Sequence, residues 1–249
     1  MIAILPMYDW EEVREATDRL WGLIHDALDA RAIAAPRTLT RGVDMWQAWQ
    51  SPDLVLGQTC GFPFRTRLHG KVRLVGTPDY QLPGAAPGYY YSQLVGRADE
   101  TRDMAELFGL RLAANGTDSQ SGWAAPLNHA AGKGWPVGKT VLTGAHVESA
   151  RAVAEGRADI AALDAVTWRL ITAHRPELAG RLRVLGRTEP ATPGLPYITA
   201  TGRDAGAIAA AVDDAVRALS PADRDELGLA GHVRIPEAEY LAVPVPQRH

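Results

Sequence analysis

At 249 residues the chain sits near the size, roughly 250–300 residues, at which one hydrophobic core stops growing, so one domain and two smaller lobes are both open. Hydrophobic residues make up 46% and charged residues 22%, the balance of an ordinary globular protein, and 26 basic against 29 acidic side chains leave a net charge of −3. That balance gives no electrostatic case for nucleic acid, no apolar run approaches the ~18 residues of a membrane span, and the single Cys60 excludes an internal disulfide framework.

The N-terminus reads as a buried strand, Met1–Leu5. Ile2-Ala3-Ile4-Leu5 is too short for the apolar region of a secretory signal, nothing basic precedes it, and Asp9, Glu11 and Glu12 follow at once. As written, the chain is expected in the cytoplasm, or in the periplasm if it was trimmed and given a new Met. Asp9 is then expected to cap a helix, with Glu12 completing a capping box and Trp10, Val13, Thr17, Leu20, Ile24 and Ala27 recurring on one face. Leu54–Gly57 and Val72–Gly76 are short apolar runs bounded by turn residues, hence strands, with a strand-to-helix corner at Gln58-Thr59-Cys60-Gly61 between them. This is α/β grammar.

Pro78–Gly88 holds three prolines and two glycines and leads through Tyr89, Tyr90 and Tyr91 into the extended run Ser92–Arg97, a crossing from one lobe to another. The pattern then repeats. A strand at Arg111–Ala114 precedes a helix from about Ser119 that Pro126 should make irregular, and a strand at Thr140–Thr143 precedes a helix from about His146 that ends before Gly156. Strands follow at Asp159–Leu163 and Leu182–Leu185. A second crossing, Thr188–Gly194, leads to a strand at Leu195–Ala200 and two final helices capped by Asp204 and Ser220, the latter with Pro221 at its first position. The expected division is therefore 1–85 with 194–249 as lobe 1 and 86–193 as lobe 2, joined by two crossover hinge strands.

The sharpest local feature is Asn115-Gly116-Thr117-Asp118-Ser119-Gln120-Ser121-Gly122, lying after a strand and opening a helix. Unpaired N–H groups and the positive end of the helix dipole, with hydroxyls at Ser119 and Ser121 and a close backbone approach at Gly122, suit a phosphate, phosphonate or carboxylate. The same residues also make a plain helix cap. Thr143-Gly144-Ala145-His146 offers a second polar corner, and open α/β sheets bind ligands outside the carboxyl ends of their strands. Asp164 ends a strand, where it would equally cap the following helix, and Glu189 sits on the second crossing. Gly132–Thr140 has the wrong spacing for a phosphate loop, and no nucleophile elbow or paired-His zinc spacing occurs, so no cofactor or metal is expected. Cys60 has no identifiable partner His and reads as a small buried residue.

Asp118-Ser119-Gln120-Ser121-Gly122, Thr143-Gly144-Ala145-His146 with Ser149–Val153, and Gly156–Asp164 together resemble the phosphate/phosphite/phosphonate substrate-binding family of ABC transporters, best over about Pro78–Tyr197. The resemblance implies an α/β, two-lobed type 2 periplasmic-binding-protein-like fold that closes around a ligand. It implies that Ser119, Ser121 and His146 hold an anion, with Gln120 where family members have a middle hydroxyl, and that Asp164 and Glu189 hold the ligand's amine. Tyr8 and Thr59 are added as lobe 1 contacts from position alone.

The function expected is reversible binding of a small anionic or zwitterionic ligand, not catalysis, with an ABC permease as a possible partner and neither nucleic acid nor membrane insertion involved. Two alternatives stay open. One is a cofactor-biosynthesis-type enzyme built on the same bilobal fold, with Asp164 or Glu189 as general acid or base; the other is a cytoplasmic ligand sensor.

Overall fold

The computed structural model describes residues 1–247, which fall into two compact units: Met1–Tyr89 with Pro193–Leu241, and Tyr90–Thr192 with residues 242–247. Strands are numbered in chain order. β1 (Ile2–Ile4), β2 (Leu54–Gln58) and β3 (Val72–Asp79) belong to the first unit, and β4 (Tyr89–Tyr90) lies where the chain leaves it. β5 (Ser92–Arg97), β6 (Arg111–Ala114), β7 (Lys139–Leu142), β8 (Ile160–Asp164) and β9 (Leu182–Arg187) form the second. β10 (Thr192–Pro193) lies on the return, and β11 (Tyr197–Ala200) and β12 (Gly231–Val233) complete the first. The two passing segments, β4 and β10, pair as a short ribbon.

The first unit is a five-stranded sheet in the order β1-β2-β11-β3-β12, in which β11 runs antiparallel to both its neighbours. Both faces are covered, which is why β2 is buried at every position and reads as a continuous apolar run rather than an alternating one. On one face Ala3, Leu5, Val55, Leu56 and Val75 pack against Leu20, Trp21, Ile24 and Leu28 of the helix Arg14–Asp29 and against Ile208 and Val212 of the helix Ala205–Ala218. On the other, Ile4, Leu54, Val72 and Ile198 meet Trp49, Phe64, Leu68 and Tyr240.

Three expectations for this unit are corrected. Asp9 does not cap the first helix: Arg41 holds it by two hydrogen bonds of 2.6 and 3.0 Å, and the chain enters the helix through a 3-10 turn at Glu11–Val13 with no side-chain cap. The predicted face holds at Val13, Thr17, Leu20 and Ile24, while Trp10 and Ala27 stay partly exposed. Pro78 is not yet on a crossing but lies within β3. β11 pairs no further than Gly76, so beyond it β3 has a neighbour on one side only, and a missing N–H is tolerated there as on an edge strand. Finally, the capped helices Ala205–Ala218 and Pro221–Leu227 are not the last elements, since β12 and the helix Glu237–Ala242 follow them.

The second unit is a five-stranded sheet in the order β7-β6-β8-β5-β9. β6 runs parallel to β7 and β8, and β5 runs antiparallel to β8 and β9, so β9 shares the direction of β6, β7 and β8. Leu94, Leu112, Ile160 and Ala162 pack beneath Leu107, Phe108 and Ala130. The short helix Met104–Phe108, which brings Leu107 and Phe108 into that core, was not anticipated from the sequence. It is closed by a capping box in which Asp103 accepts from the Glu106 amide at 2.9 Å and Glu106 accepts from the Asp103 amide at 3.1 Å. Asp103→Ala should lower stability by about 1 kcal/mol and Asp103→Asn by much less, read as a fall in the urea midpoint at constant slope.

Candidate functional site

The register of the second sheet brings five chain segments to one edge. β6, β7 and β8 are parallel, so Ala114, Leu142 and Asp164 end at the same side, and the helices that follow begin there. Antiparallel β5 starts at that side, with Ser92 opposite Asp164, and β9 finishes there, with Arg187 opposite Gln93. Thr188 then ties the two together: its Oγ1 accepts from the Ser92 amide and its own amide donates to the Ser92 carbonyl, both at 2.9 Å.

The corner after β6 carries the expected hydroxyl cluster. Ser119 is the N-cap, its Oγ accepting from the Gly122 amide at 3.0 Å, and Ser119, Gln120 and Ser121 are 7%, 1% and 4% exposed. The first turn, Gln120–Ala124, is a wide π-type turn before the α-helix Ala125–Lys133, and the amides of Ala124 and Ala125 reach back to the carbonyls of Ser119 and Gln120. Pro126, which has no N–H, cannot continue this ladder to the Ser121 carbonyl. The Ser92 hydroxyl donates to that carbonyl instead, at 2.8 Å, fastening the turn to β5.

The second corner meets the first. Thr143 follows β7, with its amide 2.9 Å and its Oγ1 3.1 Å from the Ala114 carbonyl, and the helix His146–Ala154 starts three residues later. Ala145 occupies its N-cap and offers no side-chain acceptor, so this helix start keeps first-turn donors for another acceptor. His146 Nε2 lies 2.8 Å from Ser121 Oγ. A Cβ on Gly122 would lie 1.9 Å from Asn115 Oδ1 and 3.1 Å from His146 Cε1, so the junction closes only around a residue with no side chain. Burial pushes the His146 imidazole down from 6.5 to about 4, the Ala162 carbonyl offsetting part of the shift. At neutral pH the ring is uncharged and carries one donor and one acceptor nitrogen.

Ser119, Gln120, Ser121, Gly122 and His146 therefore stand together. Asp164 lies at the same edge but is 2% exposed, and its Oδ1 accepts from the Val166 and Thr167 amides at 2.8 and 3.0 Å, the helix-cap role. Glu189 has an exposed side chain 3.8 Å from Lys133 Nζ, and its amide donates to His129 Nδ1 at 3.0 Å. In the first unit, Tyr8 packs edge-on against Tyr80 with centroids 5.2 Å apart and lines a cavity of about 30 Å³ with Gln58 and Tyr197. Thr59, directly after β2, is fully buried, with its amide bonded to the Pro196 carbonyl at 3.0 Å. Sequence reasoning did not single out Ser92, Thr188 or His129. Ser92 and Thr188 act through β5–β9 pairing, which spans nearly a hundred residues, and only the missing donor of Pro126 hinted that the Ser121 carbonyl needs an outside partner. Among the described residues no group of three His, Cys, Asp or Glu side chains is placed to hold a metal, and no helix is long and apolar enough to cross a membrane.

An α/β protein of two units, with polar helix starts gathered at the carboxyl ends of parallel strands, has the architecture of a periplasmic-type binding protein. Residues 2–239 match the family described as ABC transporter, phosphonate, periplasmic substrate-binding protein, and the chain belongs to that family of ligand-binding transporter components. None of the curated proteins matches it in sequence. Among solved structures it is similar to PhnD1 from Prochlorococcus marinus in complex with methylphosphonate, with a TM-score of 0.68 at 14% identity over 96% of this chain and 93% of that one. It is also similar to a binding protein component of an ABC phosphonate transporter from Pseudomonas aeruginosa, with a TM-score of 0.64 at 16% identity over 96% and 82% of the two chains. A Xanthomonas citri protein bound to chloride gives a TM-score of 0.69 at 15% identity over 96% and 92%. At these identities the likeness is one of fold, the two-unit fold expected from the sequence.

The buried histidines set an acid limit on stability. His232, whose side chain is 1% exposed, is also pushed down from 6.5 to about 4 by burial, against the opposing pull of Asp213 at 2.7 Å. The native state keeps both rings neutral down to about pH 4 while the unfolded chain protonates them near 6.5, so stability present above pH 6.5 is lost as the pH falls toward 4. Glu100, held near 2 chiefly by its hydrogen bonds from Arg102, gives up stability only below its ordinary 4.5. The melting temperature should therefore already fall between pH 6.5 and 4.5, and His232→Asn should show a smaller fall over that window.

Proposed function

We propose that this chain binds a small phosphorus oxyanion, a phosphonate or an inorganic relative, and releases it unchanged, with the second unit supplying the anion contacts. One observation carries the reading: Ser121 and His146, on two different helix starts, come within 2.8 Å of one another beside Gly122, whose lack of a side chain lets the Asn115 amide and the His146 ring close in on the turn. A tetrahedral oxyanion presents several acceptors to a small volume. Hydroxyls of Ser119 and Ser121, a donor nitrogen of His146 and first-turn amides of two helices are donors of matching sort, already ordered and largely removed from water. Bonds to an ion in such a setting exceed those between neutral groups, and the ordering cost falls on folding rather than on binding.

The rival reading as an enzyme finds less support. A general acid or base needs a carboxyl poised near neutral pH, whereas the Asp164 carboxylate accepts two cap amides, and Glu189 is exposed beside a lysine. Delivery of the ligand to an ABC permease is the role this reading gives the chain, as its family implies.

Calorimetric titration with methylphosphonate, phosphate and sulfate tests the reading. A phosphorus oxyanion should bind in a one-to-one ratio and, at 100 times its dissociation constant, stabilise the protein by about 2.7 kcal/mol. The double variant Ser121→Ala/His146→Ala should keep its circular dichroism spectrum and lose at least tenfold in affinity. Unchanged affinity in that variant would place the anion elsewhere.

A further inference from the structure

The proposed site deepens once the carboxylates are followed. An ammonium group leaves water only for an acceptor that is charged, reachable and not already engaged. Asp164, the first candidate, is buried to 2% exposure with two cap amides on Oδ1. Glu189, the second, has its side chain 56% exposed and a lysine ammonium 3.8 Å away, so it already has a cation beside it, and exposed pairs of this kind add little. Its backbone is fixed by the His129 ring, which is 4% exposed and packs against Phe108 and Trp135. Asp118, just before Ser119, is exposed and turned back toward Gly116, with Oδ1 2.9 Å from where a Cβ would sit.

The first unit repeats the pattern at its own strand ends. Asp9, after β1, gives both oxygens to Arg41, which also holds Asp18 at 2.8 Å. Asp79, the last residue of β3, takes the amides of Gln81 and Gly88 on Oδ1 at 3.0 and 3.1 Å. In both units the carboxylates near strand ends stabilise caps, turns or arginines, or else face water.

We propose that the ligand is a phosphorus oxyanion that carries no ammonium group: a short alkylphosphonate, phosphite or phosphate, not an aminoalkylphosphonate. This rests on the reading of Ser121 and His146 as anion contacts. Selection comes from dehydration. An aminoalkyl tail brings a charge whose hydration is lost, and at the described strand ends no carboxylate is both removed from water and unengaged, while an alkyl tail of the same size brings only apolar surface.

The experiment compares two ligands of the same shape, n-propylphosphonate and 2-aminoethylphosphonate, in calorimetric titrations of the whole protein, with methylphosphonate, phosphite and phosphate alongside. n-Propylphosphonate should bind about tenfold more tightly than 2-aminoethylphosphonate, and the smaller anions show which phosphorus oxyanion fits best. Equal or tighter binding of 2-aminoethylphosphonate overturns the inference and leaves the anion site standing. If none of the five binds, the anion site itself falls, and the inference with it. Glu189→Gln should move the affinity for either matched ligand by less than twofold. A selective loss of 2-aminoethylphosphonate binding in that variant would show that Glu189 holds the amine, again overturning the inference.

Discussion

The closeness of two strand-to-helix corners in the second unit is the constraint on which the rest depends. β6 and β7 are parallel neighbours in register, so the turns that follow them rise side by side, and Thr143 is bonded to the last carbonyl of β6. At that spacing Gly122, Asn115 and His146 fill one another's space, and a single added methyl at residue 122 would overlap the Asn115 amide. In the proposed site, such a close junction of backbones would let side chains from two helix starts address one small ion. The glycine is thus a condition of the site's geometry.

The wide first turn after Ser119 goes with a residue seven positions further on. Pro126 removes the donor that would bond the Ser121 carbonyl, and the hydroxyl of Ser92 replaces it. Ser92 is in turn held by Thr188 through bonds in both directions. A local defect in a helix thereby becomes a long-range tie between β5, the chain after β9 and the turn that carries Ser121. Hydroxyls on a turn held this way are oriented before any ligand arrives, which in the proposed site would lower the entropy cost of binding. The neutral imidazole fits the same logic: buried beside Ser121 it carries no charge that would need a permanent counter-ion, and it can offer a donor when an anion appears.

Much of this was legible in the sequence because it is local. Strand and helix alternation, the caps at Ser119, Asp204 and Ser220 and the irregular helix at Pro126 follow from residues within a few positions of one another. The misreadings have distant partners. Asp9 looked like a cap until Arg41, 32 residues on, took both its oxygens. Pro78 looked like a break because its tolerance depends on where β11, more than a hundred residues later, stops pairing. The helix Met104–Phe108 escaped notice because five residues carry too little periodicity, although Asp103 and Glu106 stood at capping-box spacing. The cap at Asp164 was one of the two readings its place before a helix allowed, whereas the availability of Asp164 and Glu189 to a ligand depends on the amides, lysines and solvent around them, which spacing does not reveal.

The central claim, that the Ser121–His146 junction receives the oxyanion, is tested most directly by following the imidazole nitrogens of the seven histidines by 15N NMR as methylphosphonate is added. The account predicts that the His146 resonances shift in step with saturation as a nitrogen trades its Ser121 partner for an ionic acceptor, while those of His232, bonded to Asp213, stay in place. Saturable binding of methylphosphonate with His146 unmoved would contradict it.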